Sequence, residues 1–499
     1  MSNHLLDPLF AAANPESVFL TLPGGESQTY GDILARSGQM ANVLIELGVV
    51  PGDRVAAQVG KSSDALALYL ASLRAGAVFL PLNTAYTSGE LDYFLGDAEP
   101  RVFACDAAAG VNVPAGVSCA VIALHGAASD DCLSTRADRA DASFETVARS
   151  ADDLGAILYT SGTTGRPKGA MLSHGNLLSN ALALRDLWQF TRADVLLHAL
   201  PIFHTHGLFV ATNTSMLAGG AMQFLPRFEL DQVLACLPDA TAMMGVPTFY
   251  TRLLDDARFT REAAAHMRVF ISGSAPMLEE THRAFEERTG QRILERYGMT
   301  ETNMNTSNPY DGERRPGTVG FPLPGVEVRV TDPDTGSELP TASVGMIEVR
   351  GDNVFKGYWR KPDKTAEDFR DDGFFITGDL GQIDTDGYVH IVGRGKDLII
   401  SGGFNVYPKE VELVIDAVPG VLESAVYGVP HPDFGEGVVA TVVAEDATLE
   451  EASILAAVVD QLAKFKQPKK ILFASELPRN AMGKVQKNLL RDASASLFT

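Results

Sequence analysis

Cysteine is scarce in this 499-residue chain. The four present, Cys105, Cys119, Cys132 and Cys236, form no CxxC pair and no metal-ligand spacing. That argues against a disulfide framework and a thiolate zinc site, and predicts free thiols in a reducing compartment. Positive charge is short as well: 41 Lys and Arg stand against 63 Asp and Glu, a net charge of −22. An acidic surface approaches nucleic acid or an anionic membrane at a cost, so neither is expected as a main partner. No apolar run nears the length of a membrane span. The opening MSNHLLDPLF lacks a basic start and a long apolar stretch, which predicts no secretory signal and a cytoplasmic protein.

What is present is an ordinary globular balance, 45% hydrophobic and 21% charged, in a chain long enough for about two to four structural units. Strand-like and helical runs alternate, which predicts layered α/β architecture. Arg54 to Val59 reads as a strand, Ser62 to Ala75 as an amphipathic helix and Ala77 to Leu82 as a buried strand. Residues 106–150 are Ala-, Asp- and Ser-rich and weakly patterned. Ser173 suits the cap of a helix through Leu177, Ala181, Leu184 and Trp188. A boundary is expected near Gly393–Asp397, dividing the chain into 1–395 and 396–499. Beyond it Pro408 opens a helix, strands follow at Ser424–Val429 and Val438–Ala444, a helix covers Glu450–Lys464, and Lys470–Ala474 is a strand. Gln461 to Arg491 holds eight Lys and Arg against one acid, Glu476, which reads as a solvated basic face or as a surface for an anionic ligand.

The stretch YTSGTTGRPKG, Tyr159 to Gly169, directly follows the apolar run Gly155–Leu158. Its glycines permit backbone turns that point N–H groups at phosphate oxygens. Ser161, Thr163 and Thr164 add hydroxyls, and Arg166 and Lys168 add charge. It is not the common P-loop, which needs Gly-Lys-[Ser/Thr]; here Pro167 precedes Lys168 and Gly169 follows.

These eleven residues resemble the phosphate loop of the adenylate-forming superfamily of acyl-CoA synthetases, peptide-synthetase adenylation domains and luciferases. Further motifs resemble that superfamily in the same order, over roughly residues 15–495. They are Ser272–Pro276, Tyr297–Glu301 (YGMTE), Thr377–Asp379, SGGFNVYPKE from Ser401, and PRNAMGK from Pro478 to Lys484. The resemblance implies a large, multi-subdomain N-terminal domain and a small mobile C-terminal α/β domain. It implies attack of a carboxylate on ATP to give an acyl-adenylate and pyrophosphate, then displacement of AMP by the thiol of coenzyme A. Such a site must supply cations and Mg²⁺ at the developing charge.

Residue by residue, the resemblance implies that ATP is held by Thr160, Ser161, Gly162, Thr163, Thr164 and Lys168, by Ser274 and Ala275, and by Glu295, Arg296, Tyr297, Gly298 and Met299. Tyr297 would pack on adenine and Thr300 contact the α-phosphate, with Thr164 and Glu301 holding Mg²⁺. Asp379 would bind ribose and Arg394 ribose or phosphate. Lys396 would be the hinge, Gly402 and Gly403 would line the pantetheine tunnel, and Lys484 would be the catalytic lysine of adenylation. Acetylation of Lys484 by a lysine acetyltransferase would remove its charge.

For the acid, His204 matches a position that shapes the acyl pocket, and His206 is placed to donate to an acidic substrate. Their i, i+2 spacing also suits a metal pair, but no third Cys or His stands convincingly beside them. Arg296 is the departure: many relatives using apolar acids carry glycine there. A dicarboxylate would satisfy its guanidinium, with Arg252 a second candidate; the alternative partner is Glu295 or another protein acid. Met304 would narrow the pocket, and Ser274 would line it. The runs ERYGMTETNMNTSNPY and PIFHTHGLFVATN are similar to those of malonyl-CoA synthetases, which implies malonate, ATP and CoA as substrates. Methylmalonate or another short acid is the alternative.

Overall fold

The computed structural model describes residues 2–106, 118–126, 130–160, 167–401, 404–445, 449–459, 461–480 and 483–498. The predicted phosphate-loop residues Ser161, Gly162, Thr163, Thr164 and Arg166, and the glycines Gly402 and Gly403, lie outside the described residues.

The chain forms two compact α/β units, a large one of residues 1–327 with 349–375 and a smaller one of residues 328–348 with 376–499. These bounds differ from the division expected at residue 395. The strand Val389–Arg394 pairs antiparallel with Phe375–Ile383, and that ladder keeps residues 376–395 with the C-terminal part.

The large unit carries two sheets. Six strands run in the order Ala120–Ala123, Val102–Cys105, Arg54–Gln58, Val78–Pro81, Leu154–Thr160, Lys168–Ser173. All neighbours are parallel except the last pair, which is antiparallel. The sequence explains the pattern: Arg54–Gln58 and Val78–Pro81 are almost wholly buried, as strands covered on both faces must be. The helix Ser63–Arg74 is buried nearly all round, and Ser62 caps it by accepting from the Ala65 N–H. The second sheet has nine strands. At its centre Leu294–Met299, Val269–Ser272, Ala242–Gly245 and Val195–His198 lie side by side and parallel. Helices Pro247–Leu254 and Glu279–Thr289 cover it through an aromatic core of Tyr250, Phe259, Phe270 and Phe285. Parallel strands bring their carboxyl ends to one edge, where ligands bind in open α/β sheets.

In the smaller unit a long hairpin, Val421–His431 with Gly435–Ala444, joins Lys470–Ala474 in parallel and packs on helices Pro408–Asp416 and Glu451–Val459. The helix expected to reach Lys464 is described over Glu451–Val459; Leu462 N–H still bonds the Val458 carbonyl, and the chain then turns short of Lys464, with Lys466 N–H bonding the Ala463 carbonyl. Among the described residues no helix is long and apolar enough to cross a membrane.

Candidate active site

Strand ends and one irregular helix position a first group of candidate residues, all within the large unit. Ser272 and Glu295 are paired across adjacent parallel strands, so the chain after Ser272 runs beside Arg296. Ser274 is held at φ +72°, a left-handed conformation that costs a non-glycine residue energy and recurs where function demands it. A Cβ at Gly273 would overlap the Arg296 guanidinium, so glycine there is what lets the arginine lie flat against the backbone.

Arg296 is 4% exposed, and its Nε and Nη2 have no hydrogen-bond partner among the described residues. Glu295, the protein acid weighed as its counter-ion, is engaged elsewhere: its carboxylate pairs with His282. Burial pushes the Arg296 guanidinium down to about 9, against the weaker opposing influence of Tyr250, so it remains a cation at neutral pH. A desolvated charge with two idle donors on one edge is a demand for an anion, and a carboxylate meets that edge with two parallel bonds.

His206 completes this corner. It is fully buried; its Nδ1 lies 3.2 Å from Ser274 Oγ and its Nε2 is unpartnered among the described residues. Burial, followed by the positive Arg296, drives its pKa well below the ordinary histidine value, so the ring is neutral. His204 is half-buried, and its Nδ1 accepts from the His206 backbone N–H at 3.2 Å, closing a local turn. Met304, 2% exposed, stands opposite Gly298 across the hairpin Leu294–Met299 with Asn303–Ser307. Arg252 does not join the cluster through any described hydrogen bond. It is exposed on its helix, with its guanidinium 5.9 Å from the centre of the Phe228 ring.

The same hairpin carries the nucleotide motif. Its turn, residues 300–302, presents Glu301, 6% exposed, whose Oε1 accepts from Tyr358 Oη at 3.2 Å and from Thr160 Oγ1 at 3.3 Å. Thr160 ends the strand Leu154–Thr160, so this hydroxyl and the acid are brought together although 141 positions separate them. Lys168 begins the next strand; its ammonium lies 4.1 Å from the centre of the Tyr358 ring and 3.5 Å from Asp368. Tyr297, Met299, Thr300 and Ala275 are half-buried in the same segments. Tyr358 and Asp368 were not foreseen, because nothing local in the sequence links them to Glu301 or Lys168. Among the described residues no group of three or more His, Cys, Asp or Glu gathers to hold a metal. One buried carboxylate suits instead a Mg²⁺ that keeps waters and rides on phosphate oxygens.

A second group of candidate residues lies within the smaller unit. Asp379 and Arg394 are paired across the ladder, and Arg394 Nε donates to Asp379 Oδ1 at 2.7 Å. Thr377 Oγ1 accepts from the Asp379 N–H, and Gly378 takes φ +73°, together turning the carboxylate into place. Lys396 sits in a single helical turn, Gly395–Asp397, whose Asp397 pairs with Arg491. Lys484 ends a short loop closed by Asn480 N–H to the Lys484 carbonyl and by Lys484 N–H to Asn480 Oδ1. Arg479 ties that loop down, donating to the Gly483 carbonyl at 2.6 Å while paired with Glu423. Desolvation pushes the Lys484 ammonium down to about 8, with Arg394 and Lys396 pushing the same way and Asp379 and Asp397 opposing.

The AMP-binding enzyme family matches residues 9–359, and the AMP-binding enzyme C-terminal domain matches residues 410–484. The chain is 34% identical to a malonate–CoA ligase of Arabidopsis thaliana, over 94% of this chain and 84% of that one. It is 35% identical to a sulfoacetate–CoA ligase of Cupriavidus necator, over 96% and 95%. The crystal structure of ATP-bound MatB from Rhodopseudomonas palustris is 59% identical over the whole of both chains, with a TM-score of 0.97. The two motif sets, the fold and these likenesses agree, and the chain belongs to the AMP-binding enzyme family.

Proposed function

We propose that this protein is an ATP-dependent malonate–CoA ligase. The observation that carries the acid is Arg296: a buried cation with idle donors and, among the described residues, no counter-ion, beside a neutral His206 whose Nε2 is unpartnered there. Malonate offers one carboxylate to that corner and keeps the second free to react. Acetate or a fatty acid would leave the charge bare. The likeness to a malonate–CoA ligase supports the same acid.

In the first half-reaction the free carboxylate oxygen bonds to the α-phosphorus of ATP, and the bond from phosphorus to the leaving pyrophosphate breaks. The products are malonyl-adenylate and pyrophosphate. Lys168 and the hydroxyl of Thr160 serve the phosphates, Tyr297 the adenine, and Asp379 with Arg394 the ribose. Glu301 would hold Mg²⁺ on the phosphates, and that ion supplies neutralisation of phosphate charge. Lys484 brings an ammonium to the attacking carboxylate and the α-phosphate, offsetting the repulsion between two anions. In the second half-reaction the CoA thiolate attacks the acyl carbon and AMP leaves. Movement of the smaller domain about Lys396 separates the two steps, and acetylation of Lys484 would block only the first.

CoA-dependent AMP formation by the purified protein with Mg-ATP tests this, using malonate, methylmalonate, sulfoacetate, acetate and octanoate. Turnover confined to the acids with a second anionic group is expected, with malonate foremost. Preference for acetate or octanoate would refute the role given to Arg296, and preference for sulfoacetate would keep that role but replace the acid.

A further inference from the structure

The segment that carries His206 is not an ordinary helix. His206–Thr212 winds as a π-helix, a rare form that recurs at functional sites. It exists here because of what surrounds Gly207. A Cβ at that position would overlap the Pro201 carbonyl oxygen, so the backbone passes as closely as glycine allows. The Gly207 carbonyl then receives two side-chain donors, Thr212 Oγ1 at 3.0 Å and His198 Nε2 at 2.9 Å. A carbonyl can only accept, which places the His198 proton on Nε2 and leaves Nδ1 a bare lone pair. Lys61 Nζ fills it from 2.8 Å and donates also to the His198 carbonyl at 2.7 Å.

Lys61 makes no ion pair among the described residues. Its amine rests instead 4.2 Å from the centre of the Phe224 ring. An inward lysine without a carboxylate is costly to keep, and burial lowers its pKa well below the ordinary value. A hydrophobic residue would fill the same space at less cost. Its retention as a donor has one visible consequence: it fixes the tautomer of His198, and so the bond to Gly207, one residue from His206.

We propose that Lys61 and His198 are positioning residues for the acid pocket, forming a strut that holds the π-helical turn and aims His206 at the distal acid group. This deepens the reading of His206 and Arg296 as that pocket and rests on it. Among the described residues the side-chain hydrogen bonds of Lys61 and His198 run to each other, Gly207 and Thr212 and to none of the residues assigned to ATP, so loss of the strut moves acid recognition and spares nucleotide recognition.

The test uses K61M, H198F and H198Q in the full-length enzyme, with KM for the acid and for ATP measured on each folded protein. Removing one buried hydrogen bond of this kind costs about 1–1.5 kcal/mol, so K61M and H198F are expected to raise the acid KM about tenfold. Malonate-over-acetate preference should fall with it, while the ATP KM changes less than about twofold, within the ~0.4 kcal/mol that a tenfold-per-1.4 kcal/mol scale allows. H198Q offers an amide N–H to Gly207 and a carbonyl to Lys61, and should restore the acid KM. An unchanged acid KM in K61M, an equal rise in both KM values, or an H198Q as impaired as H198F would each overturn the strut. H198Q and K61M keep the test decisive should H198F fail to fold. The ratio is read with whichever acid the wild type prefers, so a wrong acid and a wrong strut give different results.

Discussion

At the scale of single residues, burial without a partner is the recurring signal, and its consequence depends on the group. Arg296 sits where an anion is wanted. His174 shows the opposite case: fully buried, with both ring nitrogens unpartnered among the described residues, it is a packing residue. Burial, aided by Arg149 and His4 against Asp153, lowers its pKa to about 4. The folded state therefore refuses a proton that the unfolded chain accepts near the usual histidine value. Stability is fully present above about pH 6.5 and is lost as pH falls toward 4, by about 3 kcal/mol for a shift of this size. Thermal melting across that window should show H174F with a flatter acid limb than wild type; an identical limb would mean His174 is hydrated in the native protein. Arg296 was legible because the sequence places it beside a recognisable tyrosine. Lys61 and His198 were not, since 137 positions separate them and neither belongs to a motif. Arg252, the second candidate for the distal carboxylate, is exposed on its helix with its guanidinium over Phe228.

At the scale of elements, strands and caps followed from local chemistry. The helix His174–Leu187 begins where Ser173 was expected to cap it, and it forms both halves of a capping box with Asn176. S173A should cost about 1 kcal/mol in denaturant unfolding, the ordinary loss of such a cap. The hairpin around Glu301 is less forgiving. A Cβ on Gly298 would overlap the Asn303 carbonyl oxygen and press the end of Met304, and the Asn303 backbone is already at φ +50°. G298A should therefore cost about 2–3 kcal/mol, more than the cap, because backbone rather than a flexible side chain must yield. A cost equal to that of S173A would contradict this account of the turn. The π-helix at His206 was invisible to periodicity, since the apolar pattern of GLFVAT suits several helical forms. Only the crowding by Pro201 and the two donors on the Gly207 carbonyl select this one.

At the scale of the whole molecule, the residues assigned to adenylation are divided between the units: Glu301, Thr160 and Lys168 in one, Lys484, Asp379 and Arg394 in the other. The division into a large and a small α/β domain was legible from the order of motifs, whereas its boundary was displaced by the pairing of Val389–Arg394 with Phe375–Ile383. On the role proposed for Lys484 in adenylation alone, K484A should slow malonyl-adenylate formation about a hundred- to a thousandfold, the loss expected for one preorganised charge at a transition state. Thioester formation from supplied malonyl-adenylate should change little, and an equal loss in both steps would contradict that role. The ammonium is the useful form, so kcat/KM for adenylation by the wild type should fall as pH rises through about 8, the value set by desolvation with Arg394 and Lys396.

Selection by a buried arginine of an acid with a second anionic group is read from the ratio of kcat/KM for malonate to that for acetate, in wild type and in R296A. Breaking a buried charged pair costs about 3–5 kcal/mol, so the ratio should fall by more than about a hundredfold, chiefly through malonate. An R296A enzyme that still prefers malonate as strongly as wild type would show that Arg296 does not select the acid.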